Sequence, residues 1–168
     1  PKVMTKEEIR DCIRQHAEAA QRSIRAGFDG TEVTSFMGYL LANFNSRFTN
    51  QRTDEYGGSI ENRGRFMREL IDGIKQATPD NPLVVRLNGA ELMDKWGGNT
   101  EDECFELMQQ AVDVGVDMIS VTVGNTRRDL VEAAYTLGVG DASLIRRVLI
   151  PGAAPEIAEQ LRMVLGWA

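Results

Sequence analysis

The sequence predicts an α/β fold in which parallel strands are joined by helical crossovers. Three observations carry that expectation. Helical periodicity alternates with short apolar runs three times in the first 124 residues, in the order α-β-α-β-α-β. Two of the helices open with a capping box, Thr5-Lys6-Glu7-Glu8 and Thr100-Glu101-Asp102-Glu103. The run Pro82-Leu83-Val84-Val85-Arg86-Leu87 is apolar enough to be buried on both faces, as parallel strands are.

Taken in order, Thr5 caps a helix in which Ile9, Ile13, Ala17, Ala20 and Ile24 recur at helical spacing, and Gly27 ends it. Phe28-Asp29-Gly30-Thr31-Glu32-Val33 reads as a short strand. A long polar loop is expected from 34 to about 59. Ser59 is placed to cap the next helix, which carries Phe66, Leu70, Ile71 and Ile74 and stops before Pro79. The second capping box opens a helix through Phe105, Met108 and Val112, followed by a third strand, Gly115-Val116-Asp117-Met118-Ile119-Ser120-Val121. Gly27-Phe28-Asp29 and Gly115-Val116-Asp117 echo each other, either as a repeated βα device or as a common αβ turn. Strands near 29–34, 83–87 and 118–123 are expected to lie side by side in that order, parallel and joined right-handedly.

After Gly124 the character changes. Residues 125–137 form a helix candidate with Leu130, Val131, Ala134 and Leu137 on one face. A Gly138-Val139-Gly140-Asp141-Ala142 loop, an apolar Val148-Leu149-Ile150 and a last helix from Pro155 to Leu165 follow.

The 168 residues suit one domain, and a net charge of −6 argues against sequence-independent binding to nucleic acid. No apolar run approaches the roughly 20 residues that span a bilayer, so no membrane partner is expected. Cys12 and Cys104 stand alone, without the spacing of a zinc site or a disulfide framework, and a cytoplasmic setting is the default. His16, the single histidine, is expected to be a surface or satisfied helix residue.

The densest signal is a charged turn that runs into a helix. Gly38-Tyr39-Leu40-Leu41, then Thr49-Asn50-Gln51-Arg52-Thr53-Asp54-Glu55-Tyr56-Gly57-Gly58, then Glu61-Asn62-Arg63, closely resembles the old yellow enzyme family of flavin oxidoreductases. The resemblance is nearest the branch that includes 2,4-dienoyl-CoA reductase and trimethylamine dehydrogenase, and it covers the chain through Gly124. It implies that 1–124 is a partial (β/α)8 TIM-barrel-type flavin oxidoreductase domain, with 125–168 a helical and irregular tail. A full barrel typically needs roughly 200 residues or more. The chain is therefore expected to be a fragment, an incomplete sequence, or a subunit whose open sheet a partner completes, a second copy included.

The resemblance also implies a chemistry. Hydride would pass from NAD(P)H to FMN and then to an activated C=C bond of a small-molecule substrate, such as an enoyl or dienoyl thioester or an enoate. Tyr39 matches the family's active-site tyrosine, whose phenol can donate a proton beside the carbon that receives hydride. Its structural alternative is packing on Leu40 and Phe44. Arg86 matches the arginine that lies against the FMN ring, where positive charge favours the reduced flavin. Its structural alternative is an ion pair with Glu32, and both can hold at once. A silent α/β module that kept the scaffold and lost the cofactor is the rival function.

Several family features are missing. No histidine stands in Thr34-Ser35-Phe36-Met37, and Gly124-Asn125-Thr126-Arg127 replaces the branch's Gly-Trp-His-type stretch. The phosphate-binding turns and the cysteine run that holds a [4Fe–4S] cluster are absent, so no metal ligands are assigned. Multidomain members carry an FAD-binding dinucleotide domain at the C-terminal end. Gly140-Asp141-Ala142 resembles its Gly-Asp-Ala turn or is a plain loop. Finally, the 49–59 loop is expected to be ordered, with Arg52, Asp54 or Glu55 and Arg63 in one ion-pair network.

Overall fold

Helix starts are fixed by side-chain caps. In the computed structural model, which describes residues 3–36, 38–91 and 97–122, Thr5 Oγ1 accepts from the Glu8 N–H at 3.2 Å and Glu8 Oε2 accepts from the Thr5 N–H at 2.8 Å. That reciprocal box starts α1, Lys6–Arg25. Ser59 caps α3, Ile60–Ala77, and a second box between Thr100 and Glu103 starts α4, Glu101–Asp113. A short helix, α2, spans Leu40–Asn45.

The strands are β1, Thr31–Ser35, β2, Leu83–Asn88, and β3, Met118–Thr122. They form one sheet in the order β1-β2-β3 with both pairings parallel, as the sequence predicts. Arg86 stands level with Thr34 on one side and Ser120 on the other.

The core lies between the sheet and the helices on one face. Val33, Leu83, Val85 and Leu87 bury there with Phe66, Met67, Leu70, Ile71 and Ile74 of α3, Ile9 and Ala20 of α1, and Leu107 and Ala111 of α4. Period-two alternation puts Val84, Arg86 and Asn88 on the opposite face, where they are only partly buried. The expectation that β2 is covered on both sides is thus corrected: among the described residues, helices pack on one face only.

Two further expectations change. The segment from 34 to 59 is not one long loop. β1 runs on to Ser35, and α2 buries Leu41 and Phe44, the latter edge-on to Phe66 with ring centroids 4.7 Å apart. The buried face of α4 is Cys104, Leu107 and Ala111, while Phe105 and Val112 are exposed. Gly64 of α3 lies tight against Leu107 and Gln110. A side chain at position 64 would collide with that face of α4. Among the described residues no helix is long and apolar enough to cross a membrane. The expected tail, 125–168, with its Gly140-Asp141-Ala142 turn, lies outside the described residues.

Candidate functional site

The carboxyl ends of β1 and β2 bring the two sequence-nominated residues to one corner. Phe36 directly follows β1. The Tyr39 N–H donates to the Phe36 carbonyl at 3.1 Å, closing a turn in which Gly38 takes φ +73, a backbone region closed to most side chains. Asn43 Nδ2 donates to the Gly38 carbonyl at 2.7 Å and pins that turn to α2. The Tyr39 ring meets Phe36 edge-on, with centroids 6.0 Å apart and planes at 74°. The Arg86 guanidinium carbon sits 5.6 Å from the centre of the same Phe36 ring. Tyr39 is 59% exposed, so the packing on Leu40 and Phe44 that was its structural alternative does not bury it.

Arg86 also pairs with Glu32, as its alternative reading expects. Its Nη2 donates to Glu32 Oε2 at 3.2 Å, and its Nε stands 3.2 Å from Glu32 Oε1. The second contact is close enough for an ion pair but off the hydrogen-bonding direction. It leaves the Nε–H buried without an acceptor. An unsatisfied buried N–H is costly, and a charged one more so. The chain itself covers that N–H, with the Glu32 carboxylate beside it, so an acceptor from outside reaches it only when that carboxylate moves aside.

A cleft of about 390 Å³ runs along β1 and takes in Glu32, Thr34, Tyr39, Leu40 and His16. Arg86 is not in its lining, so the cleft reaches the Tyr39 side of the corner only. His16 is satisfied: its Nδ1 donates to the Cys12 carbonyl at 2.8 Å, as its helical placement leads one to expect. Burial pushes the Cys12 thiol up, which keeps it neutral.

The expected single ion-pair network of the 49–59 segment is corrected: its charged residues form separate pairs. Arg52 forks onto Asp54, Nε to Oδ1 at 2.9 Å and Nη2 to Oδ2 at 2.6 Å, and its Nη1 reaches the Met4 carbonyl at 2.7 Å. That fork holds the Asp54 carboxyl below its usual range. Glu55 pairs with Lys6 at 2.6 Å. Tyr56 donates to Glu69 at 2.8 Å, and burial, with that carboxylate beside it, raises its phenol to about 12.

Arg63 does not join them. It lies one helical turn into α3 and points the other way, into a buried hub that sequence reasoning missed. It donates to the Gly58 and Asn45 carbonyls at 2.7 and 3.1 Å, to Asn99 Oδ1 at 3.0 Å and to Glu103 Oε1 at 2.9 Å. Asn99 Nδ2 donates to the Asn45 carbonyl at 3.0 Å, while its Oδ1 also accepts from the Arg47 N–H at 3.0 Å. Glu91 accepts from Ser46 and from the Asn99 N–H. Burial pushes the Glu103 carboxyl up, but the Thr100 N–H, Arg63 and Arg47 outweigh it and leave it below its usual range. The hub ties the segment after β1 to the one after β2. The one available signal was Glu103 itself, a capping-box acid whose second oxygen is free to face a cation.

Comparisons with known proteins point to one family. The NADH:flavin oxidoreductase / NADH oxidase family model matches residues 1–136. An NADH:flavin oxidoreductase of Gibberella zeae is 34% identical over 99% of this chain and 39% of its own length. An NADPH dehydrogenase of Bacillus subtilis is 40% identical over 74% of this chain and 36% of its own. The chain therefore spans less than two fifths of the length of these curated relatives. Among solved structures, 2-naphthoyl-CoA reductase in complex with 2-naphthoyl-CoA is 44% identical, with a TM-score of 0.69, over 73% of this chain and 19% of that one. Morphinone reductase in complex with tetrahydroNAD is 32% identical, with a TM-score of 0.62, over 77% and 37%.

Proposed function

This chain belongs to the NADH:flavin oxidoreductase / NADH oxidase family, and we propose that it is part of an FMN-dependent, NAD(P)H-driven ene-reductase. The substrate in this reading is a small molecule with an activated C=C bond, an enoyl or dienoyl thioester or an enoate. The similar reductase solved with 2-naphthoyl-CoA supports a thioester. The carrying observation is Arg86: a buried guanidinium N–H without an acceptor, at the carboxyl half of the central parallel strand, on the face the helices leave bare.

FMN, when bound, relays hydride between the nicotinamide and the substrate carbon. Arg86 would hold its ring, donating to an acceptor and favouring negative charge there. Tyr39 would hold a proton on its phenol oxygen and deliver it to the carbon next to the one that takes hydride. Phe36 and Leu40 would help exclude water from that corner.

The phosphate end of FMN has no matching turn in the sequence. Hydrogen bonds to a charged group contribute about 1.5–3 kcal/mol each. Lacking two or three of them lowers affinity roughly a thousandfold or more. The 168-residue protein is therefore expected to bind FMN weakly. A titration of FMN to millimolar concentration, followed by flavin fluorescence and by NMR of the Arg86 Nε–H, tests the reading. Perturbation of that resonance supports it. Saturation with no change at Arg86, or no binding at all, sinks it in favour of a silent scaffold. Tight stoichiometric binding would contradict the missing phosphate grip.

A further inference from the structure

We infer that Phe36 is a positioning residue that sets Arg86 and Tyr39 as one unit. The inference rests on the roles proposed above for those two side chains. Phe36 touches both: the Arg86 guanidinium lies over its ring at 5.6 Å from the centroid, and the Tyr39 ring stands edge-on to it at 6.0 Å.

Neither partner is firmly held by other means. Arg86 has its half-exposed pair with Glu32, at 3.2 Å. Among the described residues the Tyr39 hydroxyl has no protein partner, and the side chain is 59% exposed. The turn that closes on the Phe36 carbonyl brings the two rings together, so the position of one fixes that of the other.

The way Phe36 grips Arg86 matters for function. A carboxylate holds a guanidinium by its in-plane N–H groups and uses them up. An aromatic ring holds it by its face, through the ring quadrupole, and uses none. Phe36 therefore restricts Arg86 without itself occupying an in-plane donor, while Glu32 takes Nη2 and lies beside Nε. The Nε–H, 3.2 Å from Glu32 Oε1, has no hydrogen-bond acceptor. An aliphatic side chain at position 36 fills similar space but has no quadrupole, so Arg86 is free to swing fully onto Glu32. Tyr39 loses its edge contact in the same step.

The test compares Phe36→Leu with Phe36→Tyr, and takes Arg86→Met and Tyr39→Phe as references. FMN is titrated to millimolar concentration in each, with flavin fluorescence and the Arg86 Nε–H and tyrosine ring resonances as readouts. A half-exposed cation–π contact corresponds to about two- to fivefold in affinity. Phe36→Leu is expected to weaken FMN binding by that factor. Even without FMN, it should also move the Arg86 Nε–H and Tyr39 ring resonances together as the ring current is lost. Phe36→Tyr should restore both, which general loosening of the turn cannot explain. Wild-type affinity in Phe36→Leu, or Arg86 and Tyr39 resonances that stay put, overturns the positioning role. If Arg86→Met weakens binding and Phe36→Leu does not, this inference alone fails. If Arg86→Met itself leaves FMN binding unchanged, the functional reading fails with it.

Discussion

Arg63 donates to the Gly58 and Asn45 carbonyls, to Asn99 and to Glu103, and is 3% exposed. Arg86 has the single carboxylate of Glu32, a ring beneath it and a buried N–H that bonds to nothing. Both sit in sequence runs that resemble the same family. The difference teaches that saturation separates the roles. A guanidinium whose every nitrogen is hydrogen-bonded holds segments together, and in the reading proposed above one with an unbonded nitrogen serves a ligand.

The sharpest way to break that contrast is to remove each cation in turn. Arg63→Met would leave the Glu103 carboxylate and the Asn99 and Asn45 oxygens buried with fewer donors. Breaking a buried pair on one side costs about 3–5 kcal/mol. A urea melt of this variant should show the midpoint falling steeply with an unchanged slope. A loss under about 1 kcal/mol would mean that the hub is looser than its distances state.

An acid titration of stability sharpens the comparison next. Asp54 is held down by the Arg52 fork, and Asp117 by Lys75 and the Leu83 N–H. Glu103 is held down by the Thr100 N–H, Arg63 and Arg47, against its burial. All three therefore have folded values below the unfolded ones, which lie near about 4. The stability they add is complete above that pH and is lost as pH falls through the folded values. Urea midpoints should thus be flat from neutrality to about pH 5 and drop below about pH 4. In Arg63→Met the drop should be shallower, because Glu103 has lost the partner that kept its proton off. An equally steep drop in that variant would remove Glu103 from the account.

How much of this was legible follows from how local each signal is. Thr5 with Glu8 and Thr100 with Glu103 were readable because a capping box spans four residues and satisfies its own backbone. The three strands were readable from apolar runs between turn residues. The Arg52–Asp54 fork joins residues two apart and was half expected. Arg63 was assigned to the wrong network because its partners, Asn99 and Glu103, are 36 and 40 residues away. Only the crossover from β2 to α4 brings them near. The buried face of α4 was displaced because the sequence shows Phe105 and Val112 as bulky apolar residues, while α3 approaches α4 through Gly64 on the side of Leu107, with Cys104 and Ala111 buried too. Phe36 gave no sequence signal, because its role depends on a turn closed by Gly38 and on the neighbouring strand.

Arg86→Met should have the smallest effect on folding and the most selective effect on binding. The pair it breaks is half-exposed, with 39% and 38% of the two side chains accessible. Pairs of that kind contribute about 0–1 kcal/mol. Methionine keeps most of the aliphatic stem against the sheet and removes the unsatisfied N–H, which offsets part of that loss. The urea midpoint should therefore stay close to the wild-type value, far from that of Arg63→Met. Binding should behave in the opposite way. If the spare N–H meets a flavin acceptor, its removal takes away a charge-assisted hydrogen bond of about 1.5–3 kcal/mol, roughly a ten- to hundredfold loss of FMN affinity. Arg63→Met, measured where it remains folded, should bind FMN close to normally. If instead Arg86→Met melts like Arg63→Met and leaves FMN affinity untouched, the two arginines share one structural task and saturation does not tell them apart.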